Sequence, residues 1–264
     1  MPYSTRNNKG IYIFFALAFA PFFFAHGQAP DTTGANTLQS DLNRLTESLD
    51  LLNSIKAGKR ITDATPIQTA LNDVLNISEE EIRSVTARLG AQANLTEEEA
   101  ALQNELIMGL ANLASHLKSV RADATQESGI SAVISLAQKL KEWRDGPYTT
   151  TVERAVTFVS IFENENSIKA ANARLASILK DEKKIRRILS GANTTTFARL
   201  IKKVQGGLRK AADLNTRAKA ALMPDPNNAT ADDENSIDEL IRQSGILVND
   251  AYNDFIAMSK LIKK

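Results

Sequence analysis

The chain has 264 residues, 43% of them hydrophobic, 24% charged and only 6% aromatic, with 32 Lys+Arg against 31 Asp+Glu. This is an ordinary globular composition, which excludes collagen-like, low-complexity and multi-spanning membrane classes. The sequence has no Cys, which excludes disulfides, thiolate catalysis and Cys-bearing zinc sites.

At the N-terminus, Arg6 and Lys9 precede an apolar run from Ile11 to Ala25. A basic segment, an apolar stretch and then small residues predict a secretory signal peptide over 1–27. Ala25-His26-Gly27 places small residues on either side of His26, so cleavage is expected between Gly27 and Gln28. A second register ending at Ala29 is disfavoured because Pro30 follows it. The alternative of an uncleaved anchor is weaker, since the run is shorter than the ~20 residues a spanning helix needs. Pro21 also interrupts it. The expected location is secreted or periplasmic. Residues 28–36 read as a flexible leader, and 37–264 as one helical bundle domain.

Within 37–264 the pattern is helix after helix. Leu38, Leu42, Leu45, Leu49 and Leu52 recur in heptad register, a short coiled-coil-like stripe, before the basic, Gly-bearing stop Lys56-Ala-Gly58-Lys59-Arg60. Ile67, Leu71, Val74 and Leu75 predict a second helix after Pro66. Ser78-Glu79-Glu80-Glu81 reads as the start of a third, ending at Gly90, and Thr96-Glu97-Glu98-Glu99 as the start of a fourth, striped by Leu102, Leu106, Leu110, Leu113 and Leu117. A fifth carries Val133, Leu140 and Trp143 and is expected to stop at Gly146-Pro147.

A long helical region follows from about Thr151 to Ser190, with Gly191 closing it, and the polar patch Glu163–Ser167 is a candidate break within it. The next helix runs from about Thr195 to Leu222, where Gly206-Gly207 suggests a kink or a close helix approach. Met223–Asn228 is a Pro-rich loop, and a last helix covers about 233–263. The best strand candidate, Tyr148–Val152, has threonines that serve equally well as caps. The predicted fold class is therefore all-α, a single helical bundle of seven or eight amphipathic helices.

Asn76-Ile-Ser-Glu-Glu-Glu81 and Asn94-Leu-Thr-Glu-Glu-Glu99 are near copies. In each, Ser or Thr stands three residues before a Glu, the spacing of a capping box. Adjacent helical carboxylates diverge, so neither cluster is read as a calcium site. Asp225–Glu234 is acidic but lacks EF-hand spacing. Four Asn-x-Ser/Thr sequons, at Asn76, Asn94, Asn193 and Asn228, are glycan acceptors if the source is eukaryotic, and all four read as loops or helix starts.

Charge is uneven. Lys180–Lys219 holds twelve basic residues and three acidic ones. The cations expected to meet an anionic surface are Lys183, Lys184, Arg186, Arg187, Lys202, Lys203, Arg209 and Lys210. Phe197 is the one aromatic there, which argues against base stacking and so against nucleic acid as a partner. With His26 in the predicted signal peptide, His116 is the single histidine expected in the mature chain. No Gly-x-Ser-x-Gly elbow, His-Glu-x-x-His, P-loop or Gly-x-Gly-x-x-Gly is present.

No catalytic, metal or cofactor-binding residues are therefore expected. The predicted function is that of an exported, non-enzymatic protein acting through protein–protein contacts, as an adaptor, adhesin-like or envelope-associated factor. The alternative is a membrane- or polyanion-binding protein that uses the basic helices 180–219, with lipid headgroups or polysaccharide as the partner.

Overall fold

A computed structural model describes residues 65–126, 129–223 and 236–262. Every regular element among them is helical: α1 (Thr65–Gly90), α2 (Glu97–Gln126), α3 (Ile130–Trp143), a π-helical turn (Arg144–Tyr148), α4 (Thr149–Ile188), α5 (Gly191–Leu222) and α6 (Ile237–Ile262). The predicted signal peptide, the predicted leader, the leucine stripe 38–52 and all but Met223 of the loop expected at Met223–Asn228 lie outside the described residues. The contacts divide the chain into two compact units, up to Val156 and from Thr157.

In the first unit, α1 and α2 form an antiparallel hairpin. Ile67, Leu71, Val74, Leu75, Ile82, Val85 and Leu89 are buried along one face of the helix. Facing them are Leu102, Leu106, Leu110, Leu113 and Leu117, one per helical turn. Each such leucine contributes about 1.5–3 kcal/mol when removed from water. Polar clasps fix the register. Gln103 donates to the Leu89 carbonyl at 2.6 Å, satisfying the end of α1, while Arg121 donates to Asn76 at 2.8 Å and pairs with Glu79 at 3.1 Å. At Gly109 an added Cβ would lie 3.0 Å from the Thr151 methyl, so the glycine permits close packing there.

Three local expectations are corrected. The second and third helices are one helix, because nothing between Leu75 and Ser78 breaks the apolar stripe and Ser78 itself is buried in mid-helix. Gly146-Pro147 does not stop the chain's helical course. Proline removes an N–H and crowds the carbonyl four residues back, and the backbone answers by widening to a π turn. The Thr149 N–H then reaches back to the Arg144 carbonyl, and the hydroxyls of Thr149, Thr150 and Thr151 donate to the carbonyls of Arg144, Gly146 and Pro147. Those threonines extend a helix and neither form a strand nor begin a separate one. Finally, α4 runs unbroken through Glu163–Ser167.

In the second unit, the later part of α4 packs with α5 and α6. Its core comprises Ile168, Ala171 and Leu175 of α4, Phe197, Leu200, Val204 and Leu208 of α5, and Val248, Phe255 and Met258 of α6. Gly191 opens α5 with Ser190 as its N-cap residue, where the sequence suggested that it closes the preceding helix. A Cβ at Gly207 would lie 3.9 Å from the Leu247 carbonyl oxygen, so α6 passes close beside α5 there.

Candidate functional site

Two features of the second unit and one of the first bring chemistry-bearing side chains together. The first is the cationic surface of the α4–α5 hairpin. On α4, Lys180, Lys183, Lys184 and Arg187 recur at helical spacing and are all exposed. They stand opposite Leu175, which is buried, and Ile178, Ile185 and Leu189, which are partly buried against the core. On α5, Arg199, Lys202, Arg209 and Lys210 are exposed on the side away from Phe197, Ile201, Val204 and Leu208. The turn between the helices is only Leu189-Ser190.

All eight cations singled out from the sequence are therefore at the surface. Three are paired. Lys184 lies 3.4 Å from Asp181, Arg186 2.6 Å from Glu182, and Lys203 3.0 Å from Asp254 of α6. No ion pair holds Lys183, Arg187, Lys202, Arg209 or Lys210 among the described residues. Among the described residues, Lys203 is the one of the eight whose acidic partner lies on another helix. Lys203 and Lys210 also line a shallow groove of about 270 Å³ between α5 and α6, with Gly206, Gly207, Asp250 and Asp254.

The core of this unit contains a neutral polar junction. Asn164 of α4 donates to Asn215 of α5 at 2.9 Å and to Ser244 of α6 at 2.7 Å. Asn215 donates in turn to the Ile161 carbonyl at 3.2 Å, and Ser244 to the Ala211 carbonyl at 2.7 Å. One side chain from each helix is thereby satisfied by the others, which fixes their axial register. Beside it, Lys219 sits 4.6 Å from the Phe162 ring centroid and 3.3 Å from Glu165. Burial acts to raise the Glu165 pKa, but hydrogen bonds from Lys169 and the charge of Lys219 outweigh it and hold the carboxyl below its ordinary range.

The first unit contains a charged junction. Arg144 is 7% exposed, yet it donates to the Ser78 hydroxyl and, at 3.1 Å, to the Glu81 carboxylate. The Tyr148 hydroxyl donates to the same carboxylate, with the Ser78 carbonyl 3.2 Å away, and the Arg144 guanidinium stands 4.7 Å from the Tyr148 ring centroid. Burial, then the charge of Glu81, pushes the Tyr148 hydroxyl well above its ordinary pKa. Trp143 covers the outer side, 5.2 Å from the Tyr148 ring and 4.4 Å from the exposed His116 ring. The π turn brings Arg144 and Tyr148 inward on the same side.

Sequence reasoning missed both junctions. Arg144-Asp-Gly-Pro-Tyr148 read as a terminator, and Asn164 as part of a break. The available signal was a lone Arg, Ser or Asn at a position where the 3.6-residue period demands an apolar side chain.

The three consecutive glutamates diverge to three arginines: Glu79 to Arg121, Glu80 to Arg83 and Glu81 to Arg144. Among the described residues, no group of three or more His, Asp or Glu is arranged to hold a metal. No helix among them is long and apolar enough to cross a membrane. Of the sequons, Asn76 lies inside α1, not at a helix start, because α1 is continuous. Asn94 is in the α1–α2 loop, Asn193 is in the first turn of α5, and Asn228 lies outside the described residues. A scan of protein-family models and searches of curated proteins and of solved structures find no match to this chain.

Proposed function

We propose that the chain is an exported, non-enzymatic helical protein that acts through contacts with a protein partner, as an adaptor, adhesin-like or envelope-associated factor. The supporting observation is the direction in which its polar chemistry points. Arg144, Glu81, Ser78 and Tyr148 in one unit, and Asn164, Asn215 and Ser244 in the other, are turned inward and fasten helix to helix. Among the described residues, no buried side-chain polar atom lacks a partner. Groups so engaged hold a scaffold in one register, and interaction with other molecules falls to the outer helix faces.

The test is cross-linking capture of the tagged chain from its native host, with protein and lipid identified together. A stoichiometric protein partner is the expected result. Hydrolysis or group transfer by the purified chain in a broad activity screen, lost on substituting an inward-facing residue, overturns the non-enzymatic reading.

A second reading rests on a separate observation, the exposure of all eight cations at 183–210. In it, these helices bind an anionic surface, lipid headgroups or acidic polysaccharide. Such binding weakens as salt rises and is lost when Lys183, Lys184, Lys202 and Lys203 become Ser.

A further inference from the structure

At the closed end of the α4–α5 hairpin an exposed aliphatic side chain adjoins a stripe of exposed cations. Ile188, the last residue of α4, is 68% exposed, although a large aliphatic side chain gains nothing from water. It directly follows Arg187, the end of the stripe formed with Lys180, Lys183 and Lys184. The chain reverses at Leu189-Ser190, so nothing further along α4 covers it.

The third helix ends on the same side. Ser244 bonds the Ala211 carbonyl, Leu247 lies beside Gly207, and Asp254 pairs with Lys203, so α6 runs antiparallel to α5. That register carries the C-terminal end of α6, with the exposed Ile262, towards the start of α5.

We propose that this end of the hairpin is a membrane-docking tip, which places Ile188 in the interface of a bilayer containing anionic lipid while the α4 cations lie among the headgroups. This deepens the second reading above and rests on it. Charge complementarity selects an anionic partner, because Lys183 and Arg187 have no ion pair among the described residues and each contributes to attraction at an anionic surface. The apolar component selects a bilayer over a soluble polyanion. A polysaccharide chain neutralises the cations but leaves Ile188 wet, whereas a bilayer interface accepts an aliphatic side chain flanked by long cations whose stems lie along it.

The sequence has no Cys, so single-cysteine variants of the full chain report on one position each. Ile188→Cys carries an environment-sensitive fluorophore at the tip. Ile246→Cys carries it on α6 beside Leu247, roughly 24 Å of helical rise away. With phosphatidylcholine vesicles containing phosphatidylglycerol, the label at 188 brightens several-fold and shifts to the blue, while the label at 246 is unchanged. Pure phosphatidylcholine gives neither response.

Partitioning falls at least roughly tenfold when salt rises from about 0.1 to about 0.5 M. It falls on the order of a thousandfold in Lys180→Ser/Lys183→Ser/Lys184→Ser/Arg187→Ser, since each cation is worth about 1 kcal/mol at an anionic surface. The salt series on the unsubstituted cations decides the matter even if that variant misfolds. Attachment through another segment does not reproduce the result, because the readout is the surroundings of residue 188.

An unshifted label at 188 on anionic vesicles, or an equal shift on neutral ones, overturns the tip. If in that case the same cations still bind an acidic polysaccharide, the second reading survives without it. If they bind neither, both fall.

Discussion

Two six-residue segments that are nearly the same in sequence have opposite fates. In Asn94–Glu99, Thr96 caps α2. The Thr96 N–H donates to the Glu99 carboxylate at 2.8 Å, and the Glu99 N–H to the Thr96 hydroxyl at 3.3 Å. This reciprocal pair is the capping box that the spacing predicts. In Asn76–Glu81 the same spacing lies inside α1, where every backbone N–H already has a helical partner. Ser78 and Glu81 are therefore free to turn to another helix, and both bind Arg144. Asn94 takes a left-handed backbone (φ 60) in its loop, whereas Asn76 is helical and accepts a bond from Arg121. What separates the copies is upstream. An apolar stripe feeds into Ser78 without interruption, while Gly90-Ala-Gln-Ala precedes Asn94.

The largest effect is expected at Arg144. Arg144→Ala leaves the largely buried Glu81 without its cation, and urea unfolding should show a loss of about 3–5 kcal/mol. A loss under about 1 kcal/mol would mean that the junction does not organise the α1 copy at all.

Next come the two hydroxyls. Ser78→Ala removes a fully buried partner of a buried guanidinium and should cost about 1–3 kcal/mol. Thr96→Ala removes a cap and should cost about 1 kcal/mol. Equal losses would show that the Ser78 contact contributes no more than an ordinary cap.

Alkaline pH sharpens the contrast from a different side. Burial and the Glu81 charge raise the Tyr148 pKa above its ordinary 10.0, so the native state holds that proton more tightly than the unfolded chain. Its contribution is complete below the ordinary value and is lost as pH rises through the folded one. Stability of the first unit should therefore fall above about pH 10. In Tyr148→Phe that slope should flatten, and an unchanged slope would assign the alkaline loss to other groups.

The smallest effects are expected at the asparagines. Asn94→Ala should cost about 1 kcal/mol for the left-handed backbone. Asn76→Ala, in a helix, should change stability by no more than about 0.5 kcal/mol. Thermal melts of the pair read the difference directly.

The sequence by itself determined the all-α class and most helix faces. Leu102 through Leu117, Phe197 through Ala211 and Leu240 through Met258 are buried where the 3.6-residue period places them. It also determined that the cations of 180–210 stand outward, since they lie opposite the apolar stripe. These properties follow from local periodicity, which a linear reading contains in full. The passage past Pro147 is local as well, since the threonine hydroxyls return to carbonyls four or five residues back. The assembled fold decided the partner of each inward polar side chain: Ser78 and Glu81 meet Arg144, and Asn215 and Ser244 receive Asn164 from within the suspected break. The division between units at Val156–Thr157 falls inside α4, where no Gly, Pro or polar linker marks it. A polar residue in a helix ends it or fastens it according to whether a partner 50 to 80 positions away in sequence reaches it, and that depends on the assembled fold.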